Sequence, residues 1–529
     1  MKRSKLFAFA LLLFSVFFLV LSQPSFLFED GLSFFAWIAY IPFFFLLDLI
    51  SLKKSFLWGG LYGFFSYALM CPWLSSFGFL ALLFVCFLFA FYNSILFFLV
   101  SWSKKMFPAR LEKYFWLFRV FILLSVEFIR THGIFAFSYG IIGYSQWKNP
   151  LFLNFSAYFG VFGLSFLIIS FNSLAEKFIF DRFQNLPKQV GEKNFIHFRS
   201  LSFLFIFPAV SILFYFLPSS SIENSKSSSL KVALIQNASS AASSSIYDYQ
   251  RDVALLKKLT DEALDFQKQT ELVVWAETAV VPDILGGLAG RGDLLRQRLS
   301  RELFEYFESR HVSFLIGTNH ADEDGVHNAA LYFSGKSGEV LVYHKNRLVP
   351  FTEFWPDFLD FKFLDPVKKS LNCEFFARGK SIRSFSIKNM TFAVPICFED
   401  SFSPLIRKMK DSGADFFVNI SDDAWSSSEA ARNMHLSMSA FRCAEYASPM
   451  IRSTIDGKTC LLDCKGSLRA QIDSGRDGFL CAELQLPEKA KTLYMLTGDW
   501  PLIFICLFTL LFLLILSLQF VKVRIYGRR

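Results

Sequence analysis

Three residues of this 529-residue chain stand in settings suited to acyl chemistry: Glu277, Lys345 and Cys397. Glu277 closes the apolar run Val273-Val274-Trp275-Ala276. Lys345 lies in Tyr343-His344-Lys345-Asn346-Arg347-Leu348-Val349-Pro350, and Cys397 lies in Val394-Pro395-Ile396-Cys397-Phe398-Glu399-Asp400. A carboxylate, an ammonium and a thiol brought together can carry an acyl group as a thioester. The carboxylate takes the thiol proton, the thiolate attacks a carbonyl, and the cation steadies the oxyanion. Taken singly, each has an ordinary reading. A free cysteine is commonly an inert core residue, a strand-end carboxylate is commonly a surface group, and a loop lysine is commonly solvated. Cys397 precedes Ser403-Pro404-Leu405-Ile406-Arg407, which can open a helix. Amide dipoles at such a strand-to-helix turn favour a thiolate.

The elements that must position these residues fall into two kinds. The chain is 53% hydrophobic and 18% aromatic, and its 70 phenylalanines lie mostly in the first 220 residues. Apolar runs of about 20 residues, enough to cross a bilayer, occur near 6–22, 26–50, 56–74, 78–101, 115–130, 151–173, 201–217 and 501–521. Arg119 interrupts the short fifth run. The first run follows Lys2-Arg3-Ser4-Lys5, as a signal peptide does, but no small-residue cleavage site follows, which favours a retained anchor.

The net charge of +9 sits in alternate short loops, at Lys53 and Lys54, at Lys104, Lys105, Arg110 and Lys113, at Lys177 and Arg182, and at the C-terminal Lys522 to Arg529. That is a topology signal and not a nucleic-acid surface. It places those loops in the cytoplasm and the large domain after the seventh span outside it. The expected organisation is a seven-helix membrane domain over 1–217, a Ser-rich linker over 218–229, an extracytoplasmic domain over 230–495, and a last span with a basic cytoplasmic tail over 496–529.

Within 230–495 the runs 231–235, 272–275, 313–317, 391–394 and 415–419 read as strands, and the amphipathic stretches 249–268 and 294–309 as helices. Strands alternating with helices predict a layered α/β domain. Cys460 and Cys464 are spaced as a zinc half-site or a disulfide would be, yet no matching Cys/His pair accompanies them, which favours a plain strand or turn. His435 likewise has no partner histidines in sequence and reads as support for the helix before Arg442. No Walker loop, dinucleotide fingerprint or metal motif occurs, so neither cofactor nor metal is expected.

The order Glu277, Lys345, Cys397 resembles the triad of the nitrilase superfamily. More closely, the chain resembles the apolipoprotein N-acyltransferase family, membrane enzymes that complete bacterial lipoprotein maturation. The resemblance rests on 345–354 and on Pro395-Ile396-Cys397-Phe398-Glu399. It rests also on Val418-Asn419-Ile420-Ser421-Asp422-Asp423-Ala424-Trp425, on Arg442-Cys443-Ala444-Glu445 and on Ile451-Arg452-Ser453-Thr454. In the apolar part, Glu127-Phe128-Ile129-Arg130 and Gly143-Tyr144-Ser145-Gln146 are similar to family positions. The family usually has Asn where Asp422 stands and Phe-Gly where Ser426-Ser427 stand, and 238–245 replaces a family Pro and Lys or Trp.

The resemblance implies a bundle of about eight transmembrane helices with a nitrilase-like αββα sandwich, in the bacterial inner membrane with the sandwich on the periplasmic side. It implies that Glu277 is the proton acceptor, Lys345 the oxyanion stabiliser and Cys397 the nucleophile. A membrane phospholipid would give its acyl chain to Cys397, and the α-amine of a diacylglyceryl-modified apolipoprotein cysteine would accept it. Glu353 and Glu399 would hold Lys345 and the thiol in place; as plain salt-bridge carboxylates they would only be structural. Two other readings stand beside this one: a membrane-tethered amidase that gives the acyl group to water, and a binding protein with an inactive domain. The aromatic-rich segment 351–364 fits a lipid-contacting lid, 284–292 a second arm, and Arg130 either a pair with Glu127 or a head-group contact.

Overall fold

The computed structural model describes residues 2–185, 213, 228–238, 245–370, 375–487 and 491–526. The seventh expected span, apart from position 213, and all of the linker except 228–229 lie outside the described residues. The chain divides into two compact units, Met1–Ser219 with Leu493–Arg529, and Ser220–Thr492.

The first unit is helical: α1 (Lys2–Ser22), α2 (Ala36–Leu49), α3 (Leu52–Met70), α4 (Phe79–Met106), α5 (Phe115–Ile129), α6 (Pro150–Asn185) and a C-terminal helix, Trp500–Tyr526. Among the described residues four segments are long and apolar enough to cross a bilayer: Lys5–Ser22, Phe79–Met106, Pro150–Arg182 and Trp500–Val521. The other expected spans among the described residues are shorter or more polar. The expected 26–50 run is helical only from Ser33, because 23–32 folds as a loop whose backbone turns at Gly31 (φ 74°). The third run, 56–74, falls in α3, which holds Lys53 and Lys54 in its first turn and ends at Met70, and α5 has 15 residues.

α6 breaks at Gly160, whose φ of 64° suits glycine and where a Cβ would meet the Tyr494 ring at 2.5 Å. Arg119 is buried in α5 and donates to Glu176 at 2.5 Å and to the Ser173 hydroxyl at 2.8 Å, both on α6. A guanidinium inside an apolar bundle needs such a partner. Arg130 lies 3.8 Å from Glu127, donates to Tyr67 and stacks 5.1 Å above Phe89, so the pairing alternative is the one observed. The outer faces stay apolar: Phe79 and Phe87 on α4 and Phe504, Leu507 and Leu511 on the C-terminal helix are exposed.

The second unit holds two six-stranded sheets. One runs β12-β1-β2-β3-β4-β5 and the other β11-β10-β9-β8-β7-β6. The first contains β1 (Ser228–Gln236), β2 (Leu272–Val280), β3 (Ser313–Asp322), β4 (Gly325–Phe333), β5 (Val340–His344) and β12 (Gly478–Leu486). The second contains β6 (Ser384–Ile387), β7 (Met390–Ala393), β8 (Phe416–Asp422), β9 (Met450–Ile455), β10 (Cys460–Leu462) and β11 (Leu468–Gln471). Each sheet has a parallel centre, β1-β2-β3 and β7-β8-β9, flanked by antiparallel strands. Such centres are covered on both faces and therefore read as continuous apolar runs.

Helices α7 (Ile246–Phe266) and α8 (Leu294–Arg310) lay Leu256, Ala263, Leu303 and Phe307 on Val273, Trp275 and Phe314 of the first sheet. Helices α9 (Ser403–Asp411) and α10 (Glu429–Tyr446) pack together through the Ser403 and Tyr446 hydroxyls at 2.8 Å. α10 is buried along nearly its whole length. Between the sheets, the Ser453 hydroxyl donates to the carbonyls of Ile235 (2.9 Å) and Val274 (3.2 Å). Cys460 and Cys464 are free thiols, the first within β10 and the second in the turn that follows.

Candidate active site

Glu277 does not end its strand. β2 continues to Val280, but its register with β3 shifts between Trp275 and Val280, and Thr278 takes φ 51°. Such a bulge re-aims the side chains around it. Gly317 of β3 is required there, since a Cβ would lie 2.2 Å from the Ala276 carbonyl oxygen. Glu277 itself is buried.

Lys345 follows β5 directly, and its backbone N–H donates to the Asn328 carbonyl of β4 at 2.9 Å. Its side chain runs inward to place Nζ 2.9 Å from Glu277 Oε1 and 2.7 Å from Glu353 Oε1. A tight turn delivers Glu353: its N–H donates to the Val349 carbonyl at 2.9 Å, its Oε2 accepts the Val349 N–H at 2.7 Å, and Phe351 takes φ 65°. The Asn328 amide donates to the same two oxygens, Glu277 Oε1 at 2.7 Å and Glu353 Oε1 at 3.0 Å. The Asp422 N–H donates to Glu277 Oε2 at 2.8 Å. Burial alone would strip the Lys345 charge, but Glu277 and Glu353 outweigh it and hold the ammonium well above the usual lysine range.

Cys397 opens a 3₁₀ turn, Cys397–Ser401, with φ 53°, in the left-handed region that L-residues seldom enter. Asn419 of β8 pins that turn by donating to the carbonyls of Pro395 (3.0 Å) and Cys397 (2.9 Å). The thiol lies in the fields of Glu277 and Lys345. Burial and then Glu277 push it well above the ordinary thiol range, with Lys345 opposing them. Burial and the carboxylate thus favour the protonated thiol. The expectation of a thiolate favoured by amide dipoles is corrected: burial and a facing carboxylate dominate. The chemistry this arrangement supports is transfer of the thiol proton to a carboxylate as the sulfur attacks.

The two candidate supporting carboxylates do different things. Glu353 touches Lys345 directly. Glu399 is fully buried and accepts the N–H groups of Asn346 (2.7 Å), Arg347 (2.9 Å) and Ile396 (2.9 Å) and the Tyr343 hydroxyl (3.1 Å). It thus ties the backbone beside Lys345 to the backbone beside Cys397 and is no direct partner of the ammonium. Burial raises its pKa to about 7 against those donors.

Behind the cysteine turn lies a buried network that the sequence did not reveal. His435 Nε2 lies 3.2 Å from Asp400 and Nδ1 lies 3.3 Å from Asp423, while Arg452 is 2.8 Å from Asp400 and 3.4 Å from Asp423. His435 therefore joins the turn after Cys397 to the end of β8, and does more than brace its own helix. The sequence signal for Asn328 is weak: an amide beside His327 in a strand that is apolar from Ala329 on. In the aromatic segment, Phe358, Phe361 and Phe363 are exposed, and the rings of Phe361 and Phe363 stack at 5.6 Å. In the segment 284–292, Ile284 is buried in the core and Leu285 packs against it, while 288–292 are exposed.

The family model for the apolipoprotein N-acyltransferase N-terminal domain matches residues 15–174, and the carbon-nitrogen hydrolase model matches residues 231–492. Apolipoprotein N-acyltransferase 1 of Treponema denticola is 31% identical over 505 residues, covering 91% of this chain and 91% of its own. The chain belongs to the apolipoprotein N-acyltransferase family. Apolipoprotein N-acyltransferase 1 of Treponema pallidum is 29% identical and covers 97% of this chain and 96% of its own. A crystal structure of a carbon-nitrogen hydrolase from Helicobacter pylori G27 aligns with 52% of this chain and 94% of its own, at 15% identity and a TM-score of 0.38. As a member of the apolipoprotein N-acyltransferase family, the protein is an acyltransferase whose second unit is a carbon-nitrogen hydrolase domain.

Proposed function

We propose that the protein moves an acyl chain from a membrane phospholipid, through a thioester on Cys397, to the α-amine of an S-diacylglyceryl-cysteine at the N-terminus of an apolipoprotein. The observation that carries this reading is the Lys345 ammonium held between Glu277 and Glu353, in whose fields the Cys397 thiol lies. Glu277 takes the thiol proton while sulfur attacks the ester carbonyl, and Lys345 steadies the oxyanion. Collapse expels the lysophospholipid oxygen, which takes the proton back from Glu277. The incoming amine then attacks the thioester, gives a proton through Glu277 to the departing sulfur, and leaves as a triacylated amide. An amide is more stable than a thioester, so the second half runs downhill. Glu353 keeps Lys345 charged, and Glu399 sets the spacing of the lysine and cysteine backbones.

The same reading makes the organisation membranous: about eight spans, seven in 1–217 and one in 496–529, with the domain 230–495 on the periplasmic side of a bacterial inner membrane. The four long apolar helices, their exposed phenylalanines and the basic alternate loops support it. The exposed aromatic segment suits contact with lipid acyl chains.

The test is mass spectrometry of the Cys397 peptide after the purified protein meets phospholipid, followed by addition of a diacylated lipopeptide. An acyl adduct that passes to the lipopeptide is the expected result, and Cys397→Ser should give neither adduct nor product. Release of free fatty acid without lipopeptide acylation would make the protein a hydrolase that gives the acyl group to water instead. Full activity in Cys397→Ser would end the thioester reading.

A further inference from the structure

The β3–β4 turn gathers a second set of polar side chains that the acyl chemistry does not use. In the antiparallel register His320 lies opposite His327, Asp322 opposite Gly325, and His344 of β5 opposite Ala329. Side chains alternate faces along a strand, so His320, Asp322, His327 and His344 share one face, and Asn328 takes the other. Three of the seven histidines in the chain thus meet at one end of one sheet.

Their ring atoms are close and directed. His320 Nδ1 and His344 Nε2 face each other at 2.9 Å. The rings of His327 and His344 stack with centroids 3.9 Å apart and planes 4° from parallel. His327 faces an acceptor with each ring nitrogen, so the doubly protonated ring makes both contacts: Nδ1 lies 2.9 Å from the Ala377 carbonyl. Its Nε2 lies 2.9 Å from Asp322 Oδ1, which leaves Asp322 Oδ2 turned toward His344 Nδ1 at 3.9 Å. One ligand atom from each of His320, Asp322 and His344 lies within 4.8 Å of the others. In a tetrahedral zinc site, nitrogen and oxygen ligands about 2.0–2.2 Å from the metal stand roughly 3.3 Å apart. The two imidazole nitrogens already stand near that spacing, and the Asp322 carboxylate, within 4.8 Å of both, has to swing inward by up to about 1.5 Å.

We propose that His320, Asp322 and His344 bind one divalent transition-metal ion of the zinc class, with His327 orienting the Asp322 carboxylate. Two imidazoles exclude the hard calcium and magnesium ions, which prefer all-oxygen shells. Without the ion, the two facing imidazoles share a single proton in an ordinary hydrogen bond. With it, that proton moves to the ring's other nitrogen and both lone pairs turn to the metal. His327, buried and already fixed by Ala377, is placed as an outer partner of the kind that locks a ligating carboxylate. Asp324 is not the third ligand, because Lys380 holds it at 2.6 Å. His344 and Asp322 keep 22% and 34% of their side chains exposed, so an ion from solvent reaches them. The fourth position is left to water. His327 and His344 each precede a residue of the acyl site's charge network, Asn328 and Lys345, so the ion would clamp the strand ends that present them.

The full chain, purified in detergent and stripped with a chelator, is dialysed against zinc-buffered solution, and bound zinc is measured by elemental mass spectrometry. One equivalent is expected for the native chain and for Cys460→Ser/Cys464→Ser, and none for His320→Ala/His344→Ala. His320→Gln, which keeps side-chain size and polarity, serves as the variant least prone to misfold and should lose at least ten-fold in zinc affinity. Zinc should raise the unfolding temperature of the native chain and leave that of His320→Gln unmoved. No bound zinc in the native chain, or equal zinc in His320→Gln, overturns the proposal.

Discussion

The backbone N–H of Lys345 donates to the carbonyl of Asn328 at 2.9 Å, and the two side chains converge on the same pair of carboxylate oxygens. One β-ladder contact therefore fixes the register of both groups that grip Glu277 and Glu353. Two buried carboxylates so close would repel each other were they not sharing an ammonium and an amide.

Asn328→Ala should slow acylation of Cys397 by about 100-fold, the scale of a loss of about 1 Å in positioning. Lys345 keeps both ion pairs, so the thermal midpoint should shift far less than activity does. Single-turnover labelling with phospholipid reads the first quantity, and a melting curve reads the second. Labelling at the native rate would show that the amide does not position Glu277.

Asp422 predicts a pH effect. Burial and then Glu277 raise its pKa to about 7. A raised carboxylate pKa means that the folded state holds the proton more tightly than the unfolded chain, whose value is about 3.9. The associated stability is fully present below about pH 4 and is lost as pH rises through 7. Asp422→Asn, which cannot ionise, should therefore be more stable than the native chain at pH 8, by on the order of 2 kcal/mol for this half-buried group, with the gap closing toward pH 4. Denaturant unfolding at the two pH values measures it. A gap that does not change with pH would contradict the assignment.

His435 works in another window. Burial lowers its pKa, but Asp400 and the hydrogen bonds of both flanking carboxylates overcome that and raise it to about 9. The charged ring's contribution is complete below about pH 6.5, the unfolded value, and is lost as pH rises through 9. The difference corresponds to roughly 3 kcal/mol for a fully buried group. In His435→Gln the decline should shrink to what Asp422 contributes near pH 7 and be flat from about pH 8 to 9, on a lower baseline, since Asp400 and Asp423 would then have Arg452 as their remaining cation.

Much of the second unit was legible because its parallel strands are buried on both faces. Val273 to Trp275 and Phe416 to Val418 read as continuous apolar runs, and α7 and α8 carry amphipathic periods. The edge strands β6 and β11, and β10 beside β11, have three or four residues each and leave almost no pattern. Glu277, Lys345 and Cys397 were legible as chemistry in odd settings. The role of Glu399 was not, because three of its four donors are backbone amides, which sequence does not distinguish. Asn328 and His435 were hidden for a related reason: their partners lie 51 and 35 positions away, where only the fold brings them close. In the helical unit, four of the described apolar runs form helices long enough to cross a bilayer, while the run 26–50 begins its helix only at Ser33 because phenylalanine and leucine also occur in the loop 23–32.

The exposed aromatic segment supplies the last expectation. Phe358, Phe361 and Phe363 are 50%, 52% and 76% exposed, although each could bury about 150 Å² or more of ring surface. Their solvation cost is relieved where apolar chains replace water, as at a bilayer surface or around a lipid substrate. Replacing all three by Ser removes little from the folded core, so the melting temperature should stay within a few degrees of native. The apparent KM for phospholipid in mixed micelles should rise about ten-fold or more, while acyl transfer at saturating lipid stays close to native. A fall in the saturated rate with unchanged KM would place these rings in the chemical step rather than in lipid capture.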